Sequence, residues 1–201
     1  MNPQFWWHLA RSSGIVAWAL LTASMIWGLL FTTRLLKGRP TPKWLLDLHR
    51  HLGGLALAFT GLHLVALIAD NYIEFGLTDL LIPFASDWKP VPVALGVLAL
   101  YLLAAVEGTS LAMKRLPRKT WRNIHLTSYL LFWIATLHGI TAGTDATHPA
   151  YWAANTIAAA TVVFLTLYRL LAERTSRRTI TKPATSSAAP NTVEARPTTH
   201  S

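Results

Sequence analysis

Five stretches of this chain contain no Asp, Glu, Lys or Arg: 12–33, 52–69, 91–106, 123–144 and 146–168. A soluble domain seldom tolerates even one such run. A bilayer core about 30 Å thick takes roughly 20 apolar residues of helix. The windows therefore predict five spans, at about 13–34, 49–70, 91–113, 123–143 and 150–170. Charged types make up 13% of the chain and apolar types 52%. The first figure is about half the usual share for a soluble domain, which excludes a soluble globular enzyme and a disordered chain. The expected fold class is all-α integral membrane, a five-helix transmembrane bundle. The start does not read as a cleavable signal peptide, because no positive residue precedes Arg11 and the apolar run is too long for an h-region.

The net charge is +9. In a soluble protein that would point to nucleic acid; here its distribution points to membrane asymmetry. Of the 18 Lys and Arg, all but Arg11 and Lys89 fall in 34–50, 114–122 and 169–196. Basic residues gather on the cytoplasmic side of membrane proteins. The reading is N-terminus outside, C-terminus cytoplasmic, a lipid bilayer as the surroundings and no nucleic-acid partner. The expected home is a bacterial cell (inner) membrane. Between spans two and three, 71–89 repeats Ile73, Leu77, Leu80, Leu81 and Phe84 at helical spacing. This predicts a short amphipathic helix at the outer interface, limited by Pro83. The chain divides into an outer segment 1–11, a membrane domain 12–172 and a Thr/Ser/Ala/Pro-rich tail 173–201, expected to be disordered and cytoplasmic.

There is no cysteine. That removes disulfides, thiolate metal sites, iron–sulfur clusters and haem attached through Cys-x-x-Cys-His. Any cofactor must be held by His, Met or oxygen. Eight His are present, and four fall in two spans at matched depth. His49 and His63 lie in span two, 14 residues apart; His125 and His138 lie in span four, 13 apart. At 1.5 Å per residue the separations are about 21 and 19.5 Å. Both spans run from inside to outside, so His49 and His125 share an inner layer and His63 and His138 an outer one. Two layers, each with one His from each of two helices, suit two stacked bis-imidazole haems. At 100° per residue the first pair misses a common face by about 40° and the second by about 140°. A straight helix would not aim His125 and His138 the same way; a winding change, a bend or different rotamers must make up the difference. His51 competes with His49 but lies about 120° off the face of His63. Intramembrane ionisable groups are expensive and mark function by default, although a single His could equally bond a neighbouring helix.

The segments LHRHLGGLALAFTGLHLVAL and WRNIHLTSYLLFWIATLHG resemble the ferric reductase-like transmembrane domain family. That family includes the haem cores of NADPH oxidases and yeast ferric reductases, and the membrane haem subunit of the bacterial methionine-sulfoxide repair system. The resemblance covers about 12–172, and its unequal spacings of 14 and 13 match the oxidase pattern. It implies haem b as cofactor, two per chain, with His49 and His125 as inner ligands and His63 and His138 as outer ones. It also implies transmembrane electron transfer from a cytoplasmic flavoprotein reductase or a membrane quinol to an acceptor outside. Five spans stand where six are common in the family. No flavin or nicotinamide domain follows them, so a flavin or quinone would enter through a partner.

Other residues carry weaker expectations. Arg50 and Arg122 are candidates for the inner haem propionates and Arg11 for an outer one, though basic residues are expected at inner span ends anyway. Gly53, Gly54 and Gly139 would admit a macrocycle or simply allow tight helix packing. Glu107, the only acidic residue within a span, could serve quinone or proton chemistry or turn towards Lys114 and Arg115. His8 and His148 read as solvated surface. Two other functions fit the hydropathy: a haem-free metal-ion transporter, which lacks the midplane polar residues it would need, and a non-redox membrane assembly subunit, which leaves the matched histidines unexplained.

Overall fold

The computed structural model describes residues 4–32, 43–70 and 75–180, and the side chains of all of these except 146 and 173–180. Seven α-helices account for most of them: α1 Phe5–Thr32, α2 Lys43–Ala69, α3 Leu77–Leu81, α4 Pro90–Leu111, α5 Arg118–Leu126, α6 Ser128–Ala142 and α7 Pro149–Ile180. Proline marks three starts. Pro90 and Pro149 open α4 and α7, and Pro117 immediately precedes α5. Proline suits a first turn, where its missing N–H is not needed. Inside the helices Thr60, Thr109, Thr136, Thr161 and Thr166 each donate their hydroxyl to the carbonyl four residues back. Their polar groups are thereby satisfied within one helix, as a water-free surrounding requires.

Four helices are long and apolar enough to cross a membrane: Phe5–Thr32, Lys43–Ala69, Pro90–Leu111 and Pro149–Ala172. Their outward faces are apolar, with Leu55, Val65, Ile68, Phe164 and Leu167 among the exposed side chains. Exposed apolar faces on every long helix are what lipid contact demands. The window at 123–143 does not form one continuous helix. It is interrupted at Thr127, between α5 and α6. At 15 residues, α6 is about 22 Å long, too short alone for the bilayer core. Two ends also differ from expectation: α1 begins at Phe5, within the segment read as outer, and α7 continues past 172 to Ile180. The remainder of the expected tail, 181–201, lies outside the described residues.

Hydrogen bonds fix how the helices run. Trp27 of α1 donates to Leu45 O of α2 at 3.2 Å, and Ala10 at the other end of α1 accepts from His63; α1 and α2 are antiparallel. Pro92 near the start of α4 accepts from His138 near the end of α6; α4 and α6 are antiparallel. These are two hairpin-like pairs. Trp18 of α1 joins them by donating to Thr136 Oγ1 of α6 at 3.0 Å, and α7 lies along α1, with Met25, Leu29, Phe132, Ala158, Val162 and Leu165 forming a core. Among the described residues α2 and α6 hardly touch each other; α2 packs mainly on α1, and α6 on α4.

The expected amphipathic helix is α3, shorter than its periodicity suggests. Ile82 is extended before Pro83, as a residue preceding proline prefers, and ends it. Leu80, Phe75 and Trp88 pack on Val93 and Val97 of α4, while Leu77, Leu81, Ile82 and Phe84 are exposed. Residues 71–74, including Ile73 and Glu74, lie outside the described residues.

Candidate cofactor site

The four span histidines meet in two pairs at opposite ends of the bundle. At one end the rings of His49 on α2 and His125 on α5 have centroids 6.0 Å apart with planes at 78°. At the other, His63 on α2 and His138 on α6 line a shared cavity of about 220 Å³. Leu21, Leu103 and Leu131 close it towards the middle of the bundle, and Trp7, Arg11, Asp145 and Tyr151 stand at its outer part. The cavity occupies the space that α2 and α6 leave by packing on other partners.

Three of the four rings are tied down. His63 Nδ1 lies 2.7 Å from Ala10 O, and His138 Nδ1 lies 2.8 Å from Pro92 O. His49 Nδ1 lies 3.1 Å from both the carbonyl and the hydroxyl of Ser24. A carbonyl only accepts, so Nδ1 carries the proton and the Nε2 lone pair is left free. This is how metal-binding imidazoles are commonly held, with the non-ligating nitrogen donating to a fixed acceptor. His125 differs. It stacks on Trp121, centroids 5.1 Å apart at 21°, and among the described residues neither its Nδ1 nor Trp121 Nε1 has a hydrogen-bond partner though both atoms are buried.

The break at Thr127 supplies what the 13-residue spacing lacks. Thr127 N–H bonds to Ile124 O at 2.9 Å, one residue short of α-helical spacing, and its hydroxyl donates to the same carbonyl at 2.6 Å. His125 sits before this tightened turn and His138 after it. The two rings are therefore aimed by two helices, not by one.

The other candidates fall elsewhere. His51 is exposed, with Nδ1 2.7 Å from Asp47 O of its own helix. His8 and His148 are exposed. Arg50 and Arg122 are exposed too, Arg50 standing 3.6 Å from Asp47. Arg11 forms a two-pronged ion pair with Asp145. Gly53 faces the Glu107 carboxyl of α4, and a methyl group there would collide with it; at Gly139 a methyl group would lie 2.8 Å from Tyr151 Oη. Both glycines thus serve packing between segments. A methyl group on Gly54 would meet no neighbouring segment within 4 Å among the described residues.

Sequence reasoning missed the carbonyls of Ala10, Ser24 and Pro92, because every residue has a carbonyl and no residue type announces one. Chemically, each pair offers two imidazole nitrogens and little else; among the described residues no group of three or more His, Cys, Asp or Glu could hold a metal ion. No curated protein and no solved structure matches the chain. The family model described as ferric reductase like transmembrane component does match, over residues 13–136, a stretch that contains His49, His63 and His125 and ends just before His138. With its apolar helices and a match across more than half of its length, the chain belongs to the ferric reductase-like family of transmembrane components.

Proposed function

We propose that this chain is the bis-haem b membrane component of an electron-transfer system, moving electrons from a cytoplasmic flavoprotein or quinol to an acceptor outside. The observation that carries the reading is the pairing itself: His49 with His125 and His63 with His138, at opposite ends of the bundle. A closed protein metal site takes about four donors. Two imidazoles alone suit an iron whose remaining donors come from a macrocycle. Two rings sharing one metal at bonds of about 2 Å would keep their centroids close to the 6.0 Å found for His49 and His125. Haem, when bound, supplies a one-electron couple at each layer.

The protein's own part is positional. His49 and His125 would hold the inner group and His63 and His138 the outer one, with Arg50 and Arg122 available to inner propionates. Ala10, Ser24 and Pro92 orient three of the rings through their carbonyls. The largely apolar lining of the cavity disfavours water. A valence change at iron asks for no proton from these residues, which fits walls with few acids and bases. The orientation comes from the basic loops: N-terminus outside, C-terminus cytoplasmic, with α5 and α6 together making the fifth crossing in a bacterial inner membrane. In this reading 12–172 is the haem domain and 173–201 the cytoplasmic tail.

The test is a reduced-minus-oxidised spectrum with a haem-to-protein ratio, on wild type and four single His→Ala variants. Two b haems lost by layer, His49 with His125 and His63 with His138, is the expected result. A colourless protein, made with adequate haem supply, would overturn the proposal and leave transport or assembly.

A further inference from the structure

Each of the three anchoring carbonyls is followed, four residues on, by a glycine: Ala10 by Gly14, Ser24 by Gly28, Pro92 by Gly96. In an α-helix the N–H of residue i+4 bonds the carbonyl of residue i, so each glycine sits directly beyond the carbonyl that a histidine uses. The imidazoles lie where the missing side chains would be. A methyl group on Gly14 would fall 3.0 Å from His63 Nδ1, one on Gly28 3.2 Å from His49 Cε1, and one on Gly96 2.6 Å from His138 Cε1. A carbonyl has two lone pairs. The helix takes one, and only a residue with no Cβ leaves the other open to a side chain from the next helix.

We infer that Gly14, Gly28 and Gly96 are positioning residues: each opens a helical carbonyl that fixes the Nδ1–H tautomer of one proposed haem ligand and presents its Nε2 to the site. The purpose rests on the bis-haem reading; the geometry does not. Gly14 and Gly28 are 14 residues apart on α1, the same interval as His63 and His49 on the antiparallel α2. One hairpin thus repeats the device at both layers. The second hairpin uses it once, at Gly96. Among the described residues His125 has no such carbonyl, and it rests on Trp121 instead.

Histidine ¹⁵N NMR on the full-length chain tests this with and without haem. In the haem-free wild type, His49, His63 and His138 are expected as Nδ1–H tautomers, the reverse of the form imidazole prefers in water. Gly14→Ala is expected to shift His63 alone towards Nε2–H, Gly28→Ala His49 alone, and Gly96→Ala His138 alone. The effect should be largest for Gly96→Ala, whose methyl group meets the ring most closely. Gly54→Ala and Gly61→Ala, whose methyl groups meet no neighbouring segment within 4 Å among the described residues, should shift none. After haem addition, each of the first three variants should lose about 10–100-fold in affinity at its own layer, the usual cost of removing an outer-shell partner. Nε2–H tautomers in the wild type, or unchanged tautomers in the three variants, would overturn the inference. Anchored tautomers in a wild-type chain that takes up no haem would support the anchors and overturn the bis-haem reading.

Discussion

Inserting one alanine between Thr127 and Ser128 separates two ways in which His125 could come to face His49. In one continuous helix, His125 and His138 stand about 140° apart, and lengthening their interval from 13 to 14 residues would reduce this to about 40°. The insertion would then improve the alignment. In the structure the helix is interrupted at Thr127, and α5 and α6 are set independently. There an added residue turns α5 against α6 by about 100° and shifts it about 1.5 Å. At a side-chain radius of about 5–6 Å, the ring of His125 would travel roughly 8 Å. That exceeds the 6.0 Å between the His49 and His125 rings, so the pair would be lost while His63 and His138 keep theirs. The assay is haem content with a potentiometric titration, using His125→Ala as the reference. The expected outcome is a titration reduced from two steps to one, matching that reference. Full haem content with two unchanged steps would refute the idea that the interruption aims His125.

Three further outcomes follow from the geometry. His49→Ala should remove the inner haem and His51→Ala should leave both, as read from the haem-to-protein ratio; the reverse would transfer the role to His51. Arg11 and Asp145 form a two-pronged pair whose side chains are 36% and 25% exposed. A double-mutant cycle with Arg11→Gln and Asp145→Asn, followed by unfolding in detergent, should give a coupling of about 1 kcal/mol, at the upper end for accessible ion pairs; a coupling near zero would show that the pair does not fasten α1 to the turn before α7. Gly53→Ala should destabilise the bundle by about 1–3 kcal/mol, as overpacking does, and Glu107→Ala in the same chain should recover most of the loss in the same unfolding assay, unless the carboxyl does not occupy that space.

Much of the framework was legible in the sequence because membrane solvation is a coarse filter. A run without charge, about 20 residues long, has few alternatives to a buried or lipid-facing helix, and four long helices coincide with such runs. The interruption at Thr127 was legible only as a discrepancy. The 13-residue interval shows that something must give, but Leu126-Thr127-Ser128 contains no proline or glycine to say where. The placement of the glycines was harder still. Gly53 and Gly54 are adjacent, yet among the described residues a methyl group on one would meet Glu107 and on the other no neighbouring segment within 4 Å, because neighbours on a helix point about 100° apart and the difference depends on which helix lies opposite. The match between the Gly14–Gly28 and His49–His63 intervals was present in the sequence. It gains meaning only once α1 and α2 are known to run antiparallel in that register.

The arrangement of α2 and α6 bears on the order in which the protein can be completed. Each hairpin contributes one imidazole to each layer: His49 and His63 come with α1 and α2, and His125 and His138 with α4 to α6. In the bis-haem reading neither half owns a whole site. During synthesis the first pair of helices can enter the lipid and close on itself through Trp27, Ala10 and Ser24, with two imidazoles already oriented and nothing opposite them. Both layers become available late and nearly together, once α5 and α6 are in place. In the bis-haem reading, a ligand held within a layer bridges the two hairpins and acts as a fastener between preassembled halves, so its arrival would mark the end of assembly.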